Sequence, residues 1–243
     1  ILFVPSQALE TWWETENPAP EVAGLRFVLG QLLAYPPGLL GGERTRRWSR
    51  LLSERPPVPL RTEDGRTRVL PAEAFRTERN MENPELYAVF PFRLYGVGKP
   101  GLEIGRETYR RRKYQGNVGW QQDETQAAFL GLAEEAWKRL ADRAGRRHEL
   151  SRFPGFWGPN FDWIPDQDHG GNLLMALQTM LLQHDGRRIR LCPAWPPGLD
   201  VSFRLHAPER TVLEAAVAQG RVQRLDVEPP RRRSDVEILP PFR

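Results

Sequence analysis

Residues 157–171 read Trp-Gly-Pro-Asn-Phe-Asp-Trp-Ile-Pro-Asp-Gln-Asp-His-Gly-Gly. Three carboxylates (Asp162, Asp166, Asp168), His169, Asn160 and two indoles (Trp157, Trp163) fall in one stretch rich in proline and glycine. Buried charge is costly, so a core segment does not collect unpaired carboxylates. A plain surface loop has no use for two tryptophans. Carboxylates that handle protons, beside flat indole faces that stack on the C–H face of a ring, suit a sugar site. Asp166 and Asp168 repel each other at neutral pH, and burial of such a pair moves a carboxyl towards the working range of an acid–base catalyst. Helix N-capping is the structural alternative, since an apolar helix follows at once. A cap needs one Asp, whereas this stretch sets two beside His169 and Asp162.

Two further groups have chemistry in reach. Glu82-Asn83-Pro84-Glu85 precedes an apolar run; Glu82 is equally suited to capping a helix that begins near Pro84, and Glu85 is the sharper candidate. Gly119-Trp120-Gln121-Gln122-Asp123 opens a helix. Its glycine lets backbone approach a ligand, Trp120 suits stacking, and Gln121 and Asp123 reach for hydroxyls. The competing reading makes Asp123 a first-turn acid favoured by the helix dipole. Asp-x-Asp with His also suits a hard divalent cation, but EF-hand loop spacing is absent and the chain has only four His. Gly96-Val-Gly-Lys-Pro-Gly101 is too short for a phosphate loop, and no Ser sits in a nucleophile-elbow context. Neither metal nor cofactor is expected.

The elements that must position these residues are helices first and strands last. Periodicity and breakers predict helices over 20–35, 43–54, 100–114 and from Trp120 onward, with Gly131 a break into a helical hairpin, and a short helix within 82–95. Leu173–Leu182 is apolar almost all round and is expected to be deeply buried. Trp12, Trp13, Trp48 and Trp137 sit at helical spacings and read as packing. Asp64-Gly65 and Gln219-Gly220 are hairpin signals. Strand-like runs follow at 189–192, 201–205, 212–217, 222–227 and 236–239. The expected domains are 1–185 and 186–243.

The chain is basic, with 35 Lys+Arg against 31 Asp+Glu. Arginine clusters such as Arg110-Arg-Arg-Lys113 and Arg231-Arg-Arg233 invite a nucleic-acid reading, but no nucleic-acid motif accompanies them and solvated faces account for them. No apolar run of about 18 residues offers a membrane span. The single cysteine, Cys192, excludes an intrachain disulfide and reads as a small core residue, leaving the compartment open. The sequence begins at Ile1, so an upstream segment is expected.

Three motifs carry a resemblance. Glu85-Leu-Tyr-Ala-Val-Phe-Pro91, Gly119-Trp120 with its helix, and Asp168-His-Gly-Gly running to Met180-Leu-Leu-Gln183 resemble, in order and spacing, segments of glycoside hydrolase family 95, the α-L-fucosidase-like enzymes. The resemblance implies a mainly α chain, part of an (α/α)6 toroid followed by a small antiparallel β domain. It implies inverting hydrolysis of a glycosidic bond, with the base at the position of Asp168. It also implies an oligosaccharide or polysaccharide substrate and a periplasmic or extracellular setting. Glu85 stands where the family has His, and Asp166 joins the family's lone Asp, so fucose specificity is not carried over. The family's acid would lie before Ile1, so a missing N-terminal part is expected. A carbohydrate-binding or scaffold protein with the same pocket is the alternative.

Overall fold

The computed structural model describes residues 1–116, 119–145 and 168–242. They form two compact units, Ile1–Gln115 and Gly116–Arg243.

The first unit begins with β1 (Ser6–Ala8) and β2 (Trp12–Thr15), followed by α1 (Ala19–Leu33), α2 (Pro37–Leu40) and α3 (Gly42–Glu54). The hairpin of β3 (Leu60–Glu63) and β4 (Arg66–Val69) comes next, then β5 (Thr77–Glu78), a 3₁₀ helix (Pro84–Ala88) and α4 (Leu102–Arg111). Asp64 and Gly65 both take positive φ, the geometry of a two-residue hairpin turn. Pro20 sits in the first turn of α1, where its missing N–H is no loss. Ala19 and Ala23 on α1 pack with Val69 and Ala88, and Val58, Phe92, Leu94, Tyr95 and Ile104 close over them. Small residues let this helix approach closely: a Cβ on Gly24 would come within 2.9 Å of the Phe92 ring. Gly101 precedes α4 at φ +74°, with the Tyr95 ring 3.1 Å from where a Cβ would sit, so both backbone and space call for glycine there.

The second unit carries α5 (Asp123–Phe129), α6 (Ala133–Gly145) and α7 (Asp168–Leu181). Gly131 (φ +69°) separates α5 from α6, as expected of the hairpin. Two sheets follow. In one, β6 (Leu182–Asp185), β7 (Arg188–Leu191) and, after a 3₁₀ helix at Pro230–Asp235, β11 (Val236–Ile238) lie in the order β11-β7-β6. The other is a meander of β8 (Val201–Ala207), β9 (Thr211–Ala218) and β10 (Arg221–Glu228). Every second residue of β9 is buried, from Thr211 through Leu213 and Ala215 to Val217, the period of a sheet with one covered face. Gln219-Gly220 turns β9 into β10 with both φ positive.

The expected mainly α toroid is corrected: the fold is α+β, with helices interleaved with four small sheets among the described residues. The Trp12–Trp13 segment, whose spacing suggested helical packing, forms a strand between β1 and β5. Aromatic and β-branched residues favour such half-buried pleated surfaces once a partner strand is present. The C-terminal β region is not purely antiparallel either, since β11 pairs parallel with β7. The apolar helix α7 is not buried throughout: Leu174 and Met175 near its start are exposed, whereas Ala176 and Met180 are buried.

Several residues of the arginine clusters are engaged within the chain, while Arg231 and Arg233 are exposed. Arg110 and Arg111 pair with Glu107, the Arg112 guanidinium stacks on the Tyr109 ring at 3.7 Å, and Lys113 pairs with Glu78. Arg232 is fully buried and donates to Thr211 Oγ1 (3.0 Å), Asp235 (2.6 Å) and the Arg187 carbonyl (3.1 Å). Cys192 is buried, and burial pushes its thiol up to about 12.

Candidate functional site

The candidate residues distribute over both units. In the first, the strand and turn geometry around Thr11 fixes Glu82: its Oε2 accepts from the Glu10 N–H (2.8 Å) and the Thr11 hydroxyl (3.1 Å), and its own N–H donates to Thr11 Oγ1 (2.8 Å). Asn83 is held from both ends by Tyr114, donating to its carbonyl (2.7 Å) and accepting from its N–H (3.0 Å). Glu85 follows Pro84 in the first turn of the 3₁₀ helix. Its side chain is buried at 7 % exposure, and burial pushes its carboxyl up to about 7, against the opposing fields of Arg68 and Arg112. A carboxyl so placed holds its proton near neutrality, which suits acid–base work.

In the second unit the Gly119–Glu124 segment is organised by Arg143 of α6, a residue with no exposed surface. Arg143 Nη1 donates to the Gly119 carbonyl (2.9 Å) and Nη2 to the Gln121 carbonyl (2.7 Å). Its Nε lies 2.6 Å from Glu124 Oε1. Burial raises the Glu124 pKa, and the Arg143 charge opposes that rise. A guanidinium presents several donors in a fixed fork, so one side chain anchors two carbonyls and a carboxylate at once. Asp123 is buried with its carboxylate 3.7 Å from Arg139. Gln121 is buried, its side-chain oxygen 2.7 Å from where a Cβ on Gly116 would stand, and Trp120 is half-buried.

Asp168 occupies the first turn of α7 and is exposed; His169 follows it on the same helix. Four residues after Asp168, Asn172 donates its amide to the Gly119 carbonyl at 2.6 Å. Residues four apart share a helix face, so this bond brings the Gly-Trp motif and the start of α7 together. Neither Arg143 nor Asn172 was singled out from the sequence. The spacing Asp168–Asn172 was the available signal for the second; a lone arginine amid a helix full of charged residues offered none for the first. Trp157, Asn160, Asp162, Trp163 and Asp166 lie outside the described residues. Among the described residues, no group of three or more His, Cys, Asp or Glu is arranged to hold a metal ion, and no helix is long and apolar enough to cross a membrane.

No protein-family model matches the chain, and no curated protein matches it.

Proposed function

We propose that this protein acts on carbohydrate as a glycoside hydrolase of the inverting type, or as part of one, with Asp168 as the general base. The observation that carries the reading is the 2.6 Å bond from Asn172 to the Gly119 carbonyl. It ties the segment bearing Trp120 to the helical turn bearing the exposed Asp168. Trp120 offers an indole face for the sugar ring. Asp168 takes the proton of a water that attacks the anomeric carbon from the face opposite the leaving oxygen, so the product emerges inverted. Asp166, His169, Asn160, Asp162, Trp157 and Trp163 belong to this proposal as base partner and sugar contacts. Arg143, by holding both Gly119 and Gln121, acts as a positioning residue for Trp120.

The test is turnover of a panel of aryl glycosides and plant oligosaccharides, with the anomeric form of the product read by NMR. Asp168→Asn is expected to lower kcat by roughly 10²–10⁴-fold, the usual contribution of a general base, with unchanged circular dichroism. Turnover close to the parent's, or a product of retained configuration, overturns the assignment.

One observation favours a second reading, a carbohydrate-binding protein without turnover. Asp123 and Glu124, the other carboxylates beside Trp120, face Arg139 and Arg143. Saturable sugar binding that needs Trp120, with no hydrolysis of any panel member, selects this reading.

A further inference from the structure

The second unit holds a cleft that the glycosidase reading does not use. Its volume is about 520 Å³, and Arg187, Arg188, Ser234, Asp235, Val236 and Glu237 line it. That size falls within the roughly 300–1,000 Å³ of small-molecule sites. The two segments meet there because β11 pairs parallel with β7, with Glu237 opposite Arg190. The fully buried Arg232 ties them together. It donates to the Arg187 carbonyl (3.1 Å), to Thr211 Oγ1 (3.0 Å) and to Asp235 Oδ2 (2.6 Å).

The cleft has an excess of positive charge. Residues 185–190 and 230–237 carry six arginines against three acids, and Glu209, 3.4 Å from Arg232, adds a fourth acid. Both acids of the lining are backed by buried guanidiniums: Arg232 reaches Asp235 at 2.6 Å, and Arg190 lies 3.7 Å from Glu237. Arg187 and Arg188 are left on the open side, with side chains 67 % and 64 % exposed. Arg187 uses only Nη2, on Asp235 Oδ2 at 3.1 Å. Arg188 Nη1 stands 4.0 Å from Glu237 Oε2, beyond hydrogen-bond reach. Most donors of two guanidinium forks are therefore open to an anion, and paired oxygens are what such a fork recognises. Acceptors are open as well. Both bonds to Asp235 go to Oδ2, and among the described residues nothing engages its Oδ1. The contacts of Glu237 likewise run through Oε2. A carboxylate already balanced by a buried guanidinium has no need of a second cation, but it accepts from a neutral hydroxyl.

We propose that this cleft binds a small hydroxylated oxyanion, a sugar acid or a sugar phosphate. Arg187 and Arg188 take the anionic group, and Asp235 and Glu237 accept from the hydroxyls. The proposal stands apart from the assignment of Asp168.

Isothermal titration of the whole chain at fixed ionic strength tests it, with glucose 6-phosphate, glucuronate, inorganic phosphate and glucose as probes. Saturable binding of glucose 6-phosphate or glucuronate is expected, with none for glucose. Preference between the two acids identifies the anionic group as phosphate or carboxylate. Arg188→Gln, at an exposed side chain, is expected to weaken binding roughly 10–100-fold, the range for a hydrogen bond to a charged group. Arg231→Gln, at an exposed arginine of the same 3₁₀ helix outside the lining, is expected to leave it unchanged. Absence of saturable heat with both acids at millimolar concentration overturns the proposal. So does an equal loss in Arg188→Gln and Arg231→Gln, which is the mark of a diffuse basic surface. Inorganic phosphate bound as tightly as glucose 6-phosphate removes the role of Asp235 and Glu237 and overturns the hydroxylated ligand.

Discussion

Replacing Glu85 with Gln should make the protein more stable at neutral and basic pH. In the fold this carboxyl is pushed from 4.5 up to about 7, chiefly by burial. Folding therefore binds a proton throughout the window between those values, and stability falls as pH rises across it. Below about pH 4.5 the carboxyl is neutral in both states and costs nothing; above about pH 7 the full penalty applies. At about 1.4 kcal/mol per tenfold, the gap amounts to roughly 3 kcal/mol. Glutamine has the same shape and cannot ionise, so the variant escapes the penalty. Its buried amide N–H groups take back about 1 kcal/mol if they find no acceptor. The expected net gain is about 2 kcal/mol at pH 8, with no gain, or a small loss, at pH 4. Urea unfolding of parent and variant across that range measures it, and hydrogen exchange of peptides covering residues 82–90 shows whether the effect is local to the 3₁₀ helix. Other titrating groups, Glu21 with its burial-raised pKa among them, contribute alike to both proteins and cancel in the difference. Stability curves that run parallel over the whole range would refute the reasoning, because burial would then impose no penalty on the ionised Glu85.

Arg143→Met should destabilise the second unit by about 3–5 kcal/mol, because Glu124 is left as an uncompensated buried charge; a chemical denaturation midpoint close to the parent's would show that the pair is dispensable. Trp120→Ala is expected to weaken sugar binding by about 0.5–1.5 kcal/mol, the value of an aromatic face beyond its area, read as a rise in KM or Kd with folding unchanged. Gly101→Ala forces a side chain into a left-handed backbone beside the Tyr95 ring and should cost about 1–2 kcal/mol of stability, measurable as a drop in Tm.

Much of the local structure was legible in the chain. Pro20 and the Val22–Leu29 spacing marked α1; Asp64-Gly65 and Gln219-Gly220 marked hairpins; Gly131 marked the break between α5 and α6. These signals are local, because a φ value or a missing N–H belongs to one residue whatever surrounds it. The strand at Trp12–Trp13 was not legible, since its β character depends on β1 and β5 as partners. The parallel pairing of β11 with β7 joins segments about 45 residues apart in sequence, and no periodicity encodes such a partner.

The same division holds for the candidate site. By itself the sequence determined which residue types were at hand: the Gly119-Trp120 pair, the acid at Asp168 before an apolar helix, and Glu85 opening an apolar run. The sequence left Asp168 in the loop before an expected helix at Leu173–Leu182, whereas the structure begins α7 at Asp168 and so sets Asp168 and Asn172 on one helix face. Only the tertiary structure decided how these groups are used. It turned Asn172 onto the Gly119 carbonyl, set Arg143 as the anchor of Gln121 and Glu124, and buried Glu85. Burial and distance between remote segments set the electrostatic state of a carboxyl, and both are created by packing rather than by neighbours along the chain.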